Sequence, residues 1–261
     1  MNKPPVDPVS TNNETAVLSK VPEVTLAFWI IKILATTLGE TGGDAVSMSM
    51  NLGYLIGTAI FGIVFVAAVG FQIRAPRFHS AIYWFSIIAS TTVGTTLADF
   101  ATRSLGIGYT GGSAILLVLV LGSLFLWKRV TGSISVSDVS SPRTELFYWL
   151  TITFSQTLGT ALGDWTADTA NLGYVGAAGV FGGLLILVAG AYYFTSASRT
   201  ILFWVAFVLT RPLGAVVGDF LDKPVSHGGL EFSRFTASAI LIVAIVGLIA
   251  LLPHRAAKRA H

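Results

Sequence analysis

FWIIKILATTLGETGGD, residues 28–44, opens as an apolar helix and ends with two carboxylates, Glu40 and Asp44, at a depth where charge is costly. The chain around it explains the setting. Of its 261 residues 53% are hydrophobic and 11% charged, and the mean hydropathy is +0.75, which excludes an ordinary soluble domain. Eight stretches approach the roughly 20 residues that cross a hydrocarbon layer roughly 30 Å thick: 23–44, 53–73, 79–99, 111–128, 145–164, 174–195, 200–219 and 235–252. The expected fold class is therefore all-α membrane, with about eight transmembrane helices. There is no cysteine, so disulfides and thiolate metal sites are excluded, and any metal is held by oxygen or by one of four histidines.

Measured from Trp29, Trp84, Trp149 and Trp204, the position ten residues on is Gly39, Gly94, Gly159 and Gly214. Fifteen on lies Asp44, Asp99, Asp164 and Asp219, and 24 on lies Gly53, Gly108, Gly173 and Gly228. Tyr54, Tyr109 and Tyr174 follow those glycines in the first three units. The chain is thus four tandem copies of a two-helix unit with origins 55, 65 and 55 residues apart. Each unit crosses twice, so the repeats are parallel, not inverted. The longer middle spacing absorbs a Ser-rich linker, and MNLGYLIG in unit 1 matches ANLGYVG in unit 3 best, which suggests two halves. The expected organisation is a disordered cytoplasmic tail at 1–20, membrane halves at 21–130 and 145–253, a cytoplasmic linker at 131–144 and a basic tail at 254–261.

Of sixteen Lys and Arg residues, eleven fall in the tails and even-to-odd connections. Only Arg103, Lys223 and Arg234 fall in the opposite loops, and Lys32 and Arg211 lie within helices. The positive-inside rule then places both termini in the cytoplasm. The net charge of +3 is a topology signal, and no nucleic-acid partner is expected. The first 20 residues lack the apolar core of a cleavable signal, and a cytoplasmic tail makes the sequon Asn13-Glu14-Thr15 irrelevant.

At 100° per residue the tryptophan and the positions 8, 11 and 15 beyond it share one helical face within about 80°. That face carries Thr37, Glu40 and Asp44 in unit 1, Thr92, Thr95 and Asp99 in unit 2, and Thr157, Thr160 and Asp164 in unit 3; unit 4 has Pro212, Ala215 and Asp219. The glycines at plus 10 and plus 14 form small-xxx-small stripes that let helices approach closely in lipid. The expected site is therefore an acidic and hydroxyl cluster between the odd-numbered helices, binding substrate or ion through Glu40, Asp44, Asp99, Asp164, Asp219, Thr37, Thr92, Thr95, Thr157 and Thr160. Gln156 is a further candidate, and a metal would rest on Glu40, Asp44, Asp99 and Asp164. Lys32 and Arg211 would compensate the charge, with Glu40, Asp164 or Asp219 as partners. Asp168, Asp222, Met48, Met50 and His227 are outlying candidates of single units.

The motifs FWIIKILATTLGETGGD, YWFSIIASTTVGTTLAD, YWLTITFSQTLGTALGD and FWVAFVLTRPLGAVVGD resemble, over residues 21–253, a bacterial family of uncharacterised integral membrane proteins built from four copies of a repeat of unknown function. The resemblance implies the architecture and an inner-membrane location, and no activity. GETGGD also resembles, in brief, the Glu-x-Gly-Asp motifs of some manganese or calcium exchangers. The functional expectation is a transporter or exporter of an inorganic cation, Mn²⁺ or Mg²⁺ or else H⁺ or Na⁺, because hard oxygen ligands suit such ions. The divalent metal would be substrate, no cofactor is assigned, and the lipid bilayer is the other partner. The rival is a non-transporting scaffold, sensor or lipid-binding bundle. An enzyme is not expected, since one Asp is spread over four units with no unique nucleophile and base.

Overall fold

The computed structural model of the protein describes residues 19–257; Lys3, Asn13, Lys258 and Arg259, with most of the expected tails, lie outside them. Eight long helices follow in order: α1 Leu26–Asp44, α2 Gly53–Arg74, α3 Ser80–Asp99, α4 Gly108–Thr131, α5 Pro142–Asp164, α6 Gly173–Phe194, α7 Arg199–Asp222 and α8 Arg234–Leu251. Each matches one expected span to within a few residues. The described residues hold no β-strand beyond a single bridge between Pro22 and Ala256.

Six helices are long and apolar enough to cross a membrane, the mark of a multi-pass membrane protein. The two that fall short, α1 and α5, fail for polarity, not length: α1 carries Lys32, Glu40 and Asp44, and α5 carries a run of threonines with Ser155 and Gln156. Burial explains how this is tolerated. The apolar windows of α3 and α7 are 72% and 61% buried, whereas those of α2, α4, α6 and α8 are between 11% and 28% buried. The odd-numbered helices form the inside and the even-numbered ones the outside.

The inner four close a ring, α1 against α3, α3 against α5, α5 against α7 and α7 against α1. The second helix of each unit packs on the first helix of the next: α2 on α3, α4 on α5, α6 on α7, and α8 back on α1. The two expected halves therefore interleave, because α4 and α8 cross the boundary between them. The glycines at plus 10 set this order. A β-carbon on Gly39 would lie 2.4 Å from Thr91, on Gly94 2.9 Å from Gln156, on Gly159 2.1 Å from Arg211 and on Gly214 2.0 Å from Thr36. Each thus seats against the residue at plus 7 of the following unit, cyclically. Gly43, Gly163 and Gly218 repeat the arrangement one turn later against Thr95, Ala215 and Glu40. Backbones without Cβ come close enough for dense van der Waals packing, which drives association where there is no water to expel.

One end of the ring is aromatic. Phe28, Tyr83, Tyr148 and Phe203 each precede a tryptophan, and each ring meets the tryptophan of the next unit, with centroids 5.4 Å (Phe28–Trp84), 5.9 Å (Tyr83–Trp149), 6.2 Å (Tyr148–Trp204) and 5.8 Å (Phe203–Trp29) apart. Three chain segments cover this end. Ser19 and Lys20, expected in a disordered tail, are buried: Ser19 Oγ donates to Val136 O at 2.6 Å, and Lys20 Nζ pairs with Glu145 at 2.7 Å. The linker is likewise ordered, with Val136 and Val139 in the core and a capping box of Ser141 and Thr144 starting α5. Residues of the expected basic tail pair back, Ala257 N donating to Val21 O at 2.9 Å.

At the opposite end α1, α3 and α5 run past their aspartates through one π-helical turn, Ala45–Ser49, Phe100–Ser104 and Trp165–Thr169. The chain then reverses into the outer helix. Gly53, Gly108, Gly173 and Gly228 all have φ between 64° and 85°, a left-handed backbone that a side chain would strain, which accounts for glycine at plus 24.

Candidate functional site

The repeat stacks equivalent positions of the inner helices in layers one turn apart, running from the aromatic end to the aspartate end. Closest to the aromatic end, plus 3 holds Lys32, Ile87, Ile152 and Phe207, all fully buried. Plus 7 holds Thr36, Thr91, Gln156 and Arg211, of which Arg211 alone is long and charged. Because Gly159 leaves room for its stem, Arg211 reaches the axis, and its Nη2 donates to Glu40 Oε2 at 2.9 Å, Thr95 Oγ1 at 2.6 Å and Thr160 Oγ1 at 2.5 Å. Those three acceptors are the plus-11 residues of units 1, 2 and 3. Unit 4 has Ala215 there, and supplies the cation instead.

The four aspartates form the next layer, each 1% to 3% exposed. Two cations divide them into pairs. Arg103 bridges Asp99 at 3.0 Å and Asp164 at 3.2 Å. Lys223 contacts Asp44 and lies 3.1 Å from Asp219. Arg234 closes the same side, 2.9 Å from Asp222 and 3.9 Å from Asp44. Burial works against the Lys223 charge, but Asp219, Asp44 and Asp222 outweigh it and hold its pKa above the ordinary lysine value. Glu40, Asp44 and Asp219 present carboxylate oxygens within 4.8 Å of one another, a spacing that suits one bound cation.

The structure brings together Glu40, Thr95 and Thr160 around Arg211, and Asp44 with Asp219. It sets Asp99 and Asp164 apart with Arg103, so the acid trio draws on Asp219 where a metal was expected on Asp99 and Asp164. The hydroxyls of Thr37, Thr92 and Thr157 donate to the carbonyls of Ile33, Ile88 and Thr153 on their own helices, at 3.0, 2.8 and 2.9 Å, which fixes their protons and leaves their oxygen lone pairs as acceptors. Lys32 compensates no carboxylate. Its ammonium lies 4.2 Å from the centroid of the Phe207 ring and pairs with no acid among the described residues. Gln156 is buried, and neither of its amide atoms has a hydrogen-bond partner among the described residues. Of the outlying candidates, Asp222 joins the cluster, whereas Asp168, Met50 and His227 are exposed, and the sulfur of Met48 lies 4.0 Å from Lys223 Nζ.

Sequence reasoning missed Arg103, Lys223 and Arg234, which it read as loop charges. The signal was present at plus 19, where the units read Met48, Arg103, Asp168 and Lys223. A residue four beyond an aspartate on a continuing helix returns to it.

Each of the four units matches the family described as Repeat of Unknown Function (DUF347), over residues 27–78, 82–133, 147–198 and 202–256. The chain belongs to this repeat family. Every match begins two residues before the tryptophan that sets the origin of its unit, so the family repeat and the unit found by spacing share one register. No curated protein and no solved structure matches the chain.

Proposed function

We propose that the protein crosses the bacterial inner membrane eight times, with both termini in the cytoplasm, and carries an inorganic cation through the ring of inner helices. The observation that carries this reading is the buried trio of Glu40, Asp44 and Asp219 with an ammonium seated against two of them, Asp44 and Asp219. An ammonium at the end of a flexible side chain is a tethered stand-in for a cation. In this reading a divalent ion such as Mn²⁺ or Mg²⁺, or Na⁺ or H⁺, takes the place of the Lys223 ammonium on Asp44 and Asp219 and gains Glu40 as a third carboxylate. Arg211 stays below as a fixed positive charge that keeps the deeper half of the ring from holding the ion. Oxygen ligands favour hard ions over Cu or Zn. No group in the ring has the arrangement of a nucleophile with its base, so a reaction is not proposed.

Two observations support the membrane topology. α1 and α5, too polar to face lipid alone, are inner helices flanked by α8 and α4. Of the three cations assigned to the outer side, Arg103, Lys223 and Arg234 all lie in ion pairs, which leaves the excess of free positive charge on the other side.

The test is uptake by proteoliposomes holding the purified protein, with Mn²⁺, Mg²⁺, Na⁺ and a proton indicator in separate runs. Uptake of one ion is expected, with Glu40→Gln and Asp44→Asn each reducing it at least tenfold while reconstitution is unchanged. Uptake that survives both replacements together contradicts the site.

One observation favours a second reading, a non-transporting bundle: almost every buried acid here already has a basic partner, as in a cluster that serves as interhelical glue. Purified protein whose stability is indifferent to millimolar metal would support that reading.

A further inference from the structure

The half of the ring below Glu40 has a charge imbalance of its own. Two cations, Lys32 and Arg211, are fully buried there, and one carboxylate, Glu40, answers them. Glu40 is committed to Arg211 and stands eight residues above Lys32 on the same helix, about 12 Å along its axis. The Phe207 ring face recovers only part of what burying an ammonium costs.

The hydrogen-bond inventory has the same sign. Among the described residues Lys32 Nζ has no hydrogen-bond partner, and neither do Arg211 Nε and Nη1, although Arg211 Nη2 is crowded with three acceptors. At the level of Arg211, Thr91 on α3 and Gln156 on α5 are buried with their hydroxyl and amide also unbonded. Buried polar groups without partners from all four inner helices thus lie in two adjacent layers in which no ionised acceptor is present among the described residues. Buried polar groups in proteins are paired as a rule, and charged ones most of all.

We propose that this level of the ring binds a small monovalent anion of halide size between Lys32 and Arg211. One negative charge balances the pair against Glu40. The guest is limited to a single atom because Ile87, Ile152 and Phe207 fill the layer of Lys32, the aromatic rings close the end beneath, and the Arg211–Thr95–Thr160 layer closes the top. A structural anion here would lock α1 to α7, the two helices that bring the fourth unit back to the first. The inference does not depend on cation transport and holds equally for a bundle that transports nothing.

The experiment compares the thermal unfolding of detergent-purified protein in sodium bromide or chloride with sodium gluconate at matched ionic strength. A saturable rise in Tm of several degrees with halide is expected, and Lys32→Met should abolish the halide dependence. Equal Tm in halide and gluconate would overturn the proposal, since a neutral Lys32 or a bridging water needs no anion. A halide effect that persists in Lys32→Met would also overturn it by placing the anion elsewhere. Should Lys32→Met fail to fold, anomalous scattering from wild-type crystals grown in bromide decides: a peak within hydrogen-bond reach of Lys32 Nζ supports the site, and none there refutes it.

Discussion

The two ends of the ring are built from the same repeat and obey different symmetries. At the tryptophan end every unit does the same thing, one ring from each meeting the tryptophan of the next, and the contacts return to their start after four steps. At the aspartate end all four units supply the acid, but only the second and fourth supply a cation, and four equal positions become two unequal pairs. Apolar packing is satisfied by any neighbour of the right shape and so tolerates exact repetition. Four buried like charges are not, because each repels the others until a counter-charge is inserted. From the tryptophan onward, along the first helix of the unit and its continuation, the charge differs among the four copies at plus 3, plus 7, plus 11, plus 18 and plus 19, and is common to all four only at the aspartate.

The largest expected effect comes from breaking that asymmetry at its centre. Arg211→Met leaves Glu40 buried without its partner and should cost about 3–5 kcal/mol, read as a fall in unfolding midpoint in detergent. Adding Glu40→Met should recover much of the loss, which distinguishes an uncompensated charge from a packing defect. The closed ring itself is tested next. Gly214→Ala pushes a methyl into Thr36 at the α7–α1 seam and should destabilise by about 1–3 kcal/mol. Gly190→Ala on outer α6, where nothing lies within 4 Å, should be neutral or stabilising by up to about 1 kcal/mol. Equal effects at the two sites would mean that α7 and α1 are not in contact.

The smallest expected effect belongs to the aromatic end. Tyr83 and Tyr148 share a buried hydroxyl–hydroxyl hydrogen bond of 2.6 Å, at positions where units 1 and 4 have phenylalanine. Tyr83→Phe should cost about 1 kcal/mol by leaving one hydroxyl unpaired, and the double change Tyr83→Phe/Tyr148→Phe should cost less than the single one. A double change that costs more would show that this end, too, relies on polar pairing.

Much of this architecture is legible in the chain because repetition exposes it. A glycine and an aspartate that recur at fixed distances from four tryptophans give the unit, its register and the buried acid layer. The partner of each glycine is not legible, since spacing within a helix says which residues share a face and nothing about which helix they meet. That each outer helix packs on the following unit, so that α8 returns to α1, follows from three-dimensional closure alone. The orientation of the threonines at plus 8 has a local cause that a face diagram does not show: in a helix a hydroxyl proton reaches a carbonyl one turn back before it reaches a neighbour. Lys32 was assigned a carboxylate partner from cost alone, and the nearest acid on its own helix is spent on Arg211. Arg103 and Lys223 escaped notice as site residues because a cation just past an apolar span reads as a loop charge until the helix is seen to continue beneath it.

The claim that Lys223 holds a cation's place is tested most directly by removing the ammonium and keeping the acids. Thermal stability of purified wild type, Lys223→Met and Lys223→Met/Asp44→Asn would be measured across a titration with Mn²⁺ and, separately, Mg²⁺ and Na⁺. The account predicts that Lys223→Met is less stable than wild type without added ion, is stabilised by one of these ions at concentrations at least tenfold lower than wild type requires, and loses that response when Asp44 is also replaced. A Lys223→Met protein that responds to none of the ions, or whose response survives Asp44→Asn, would contradict it.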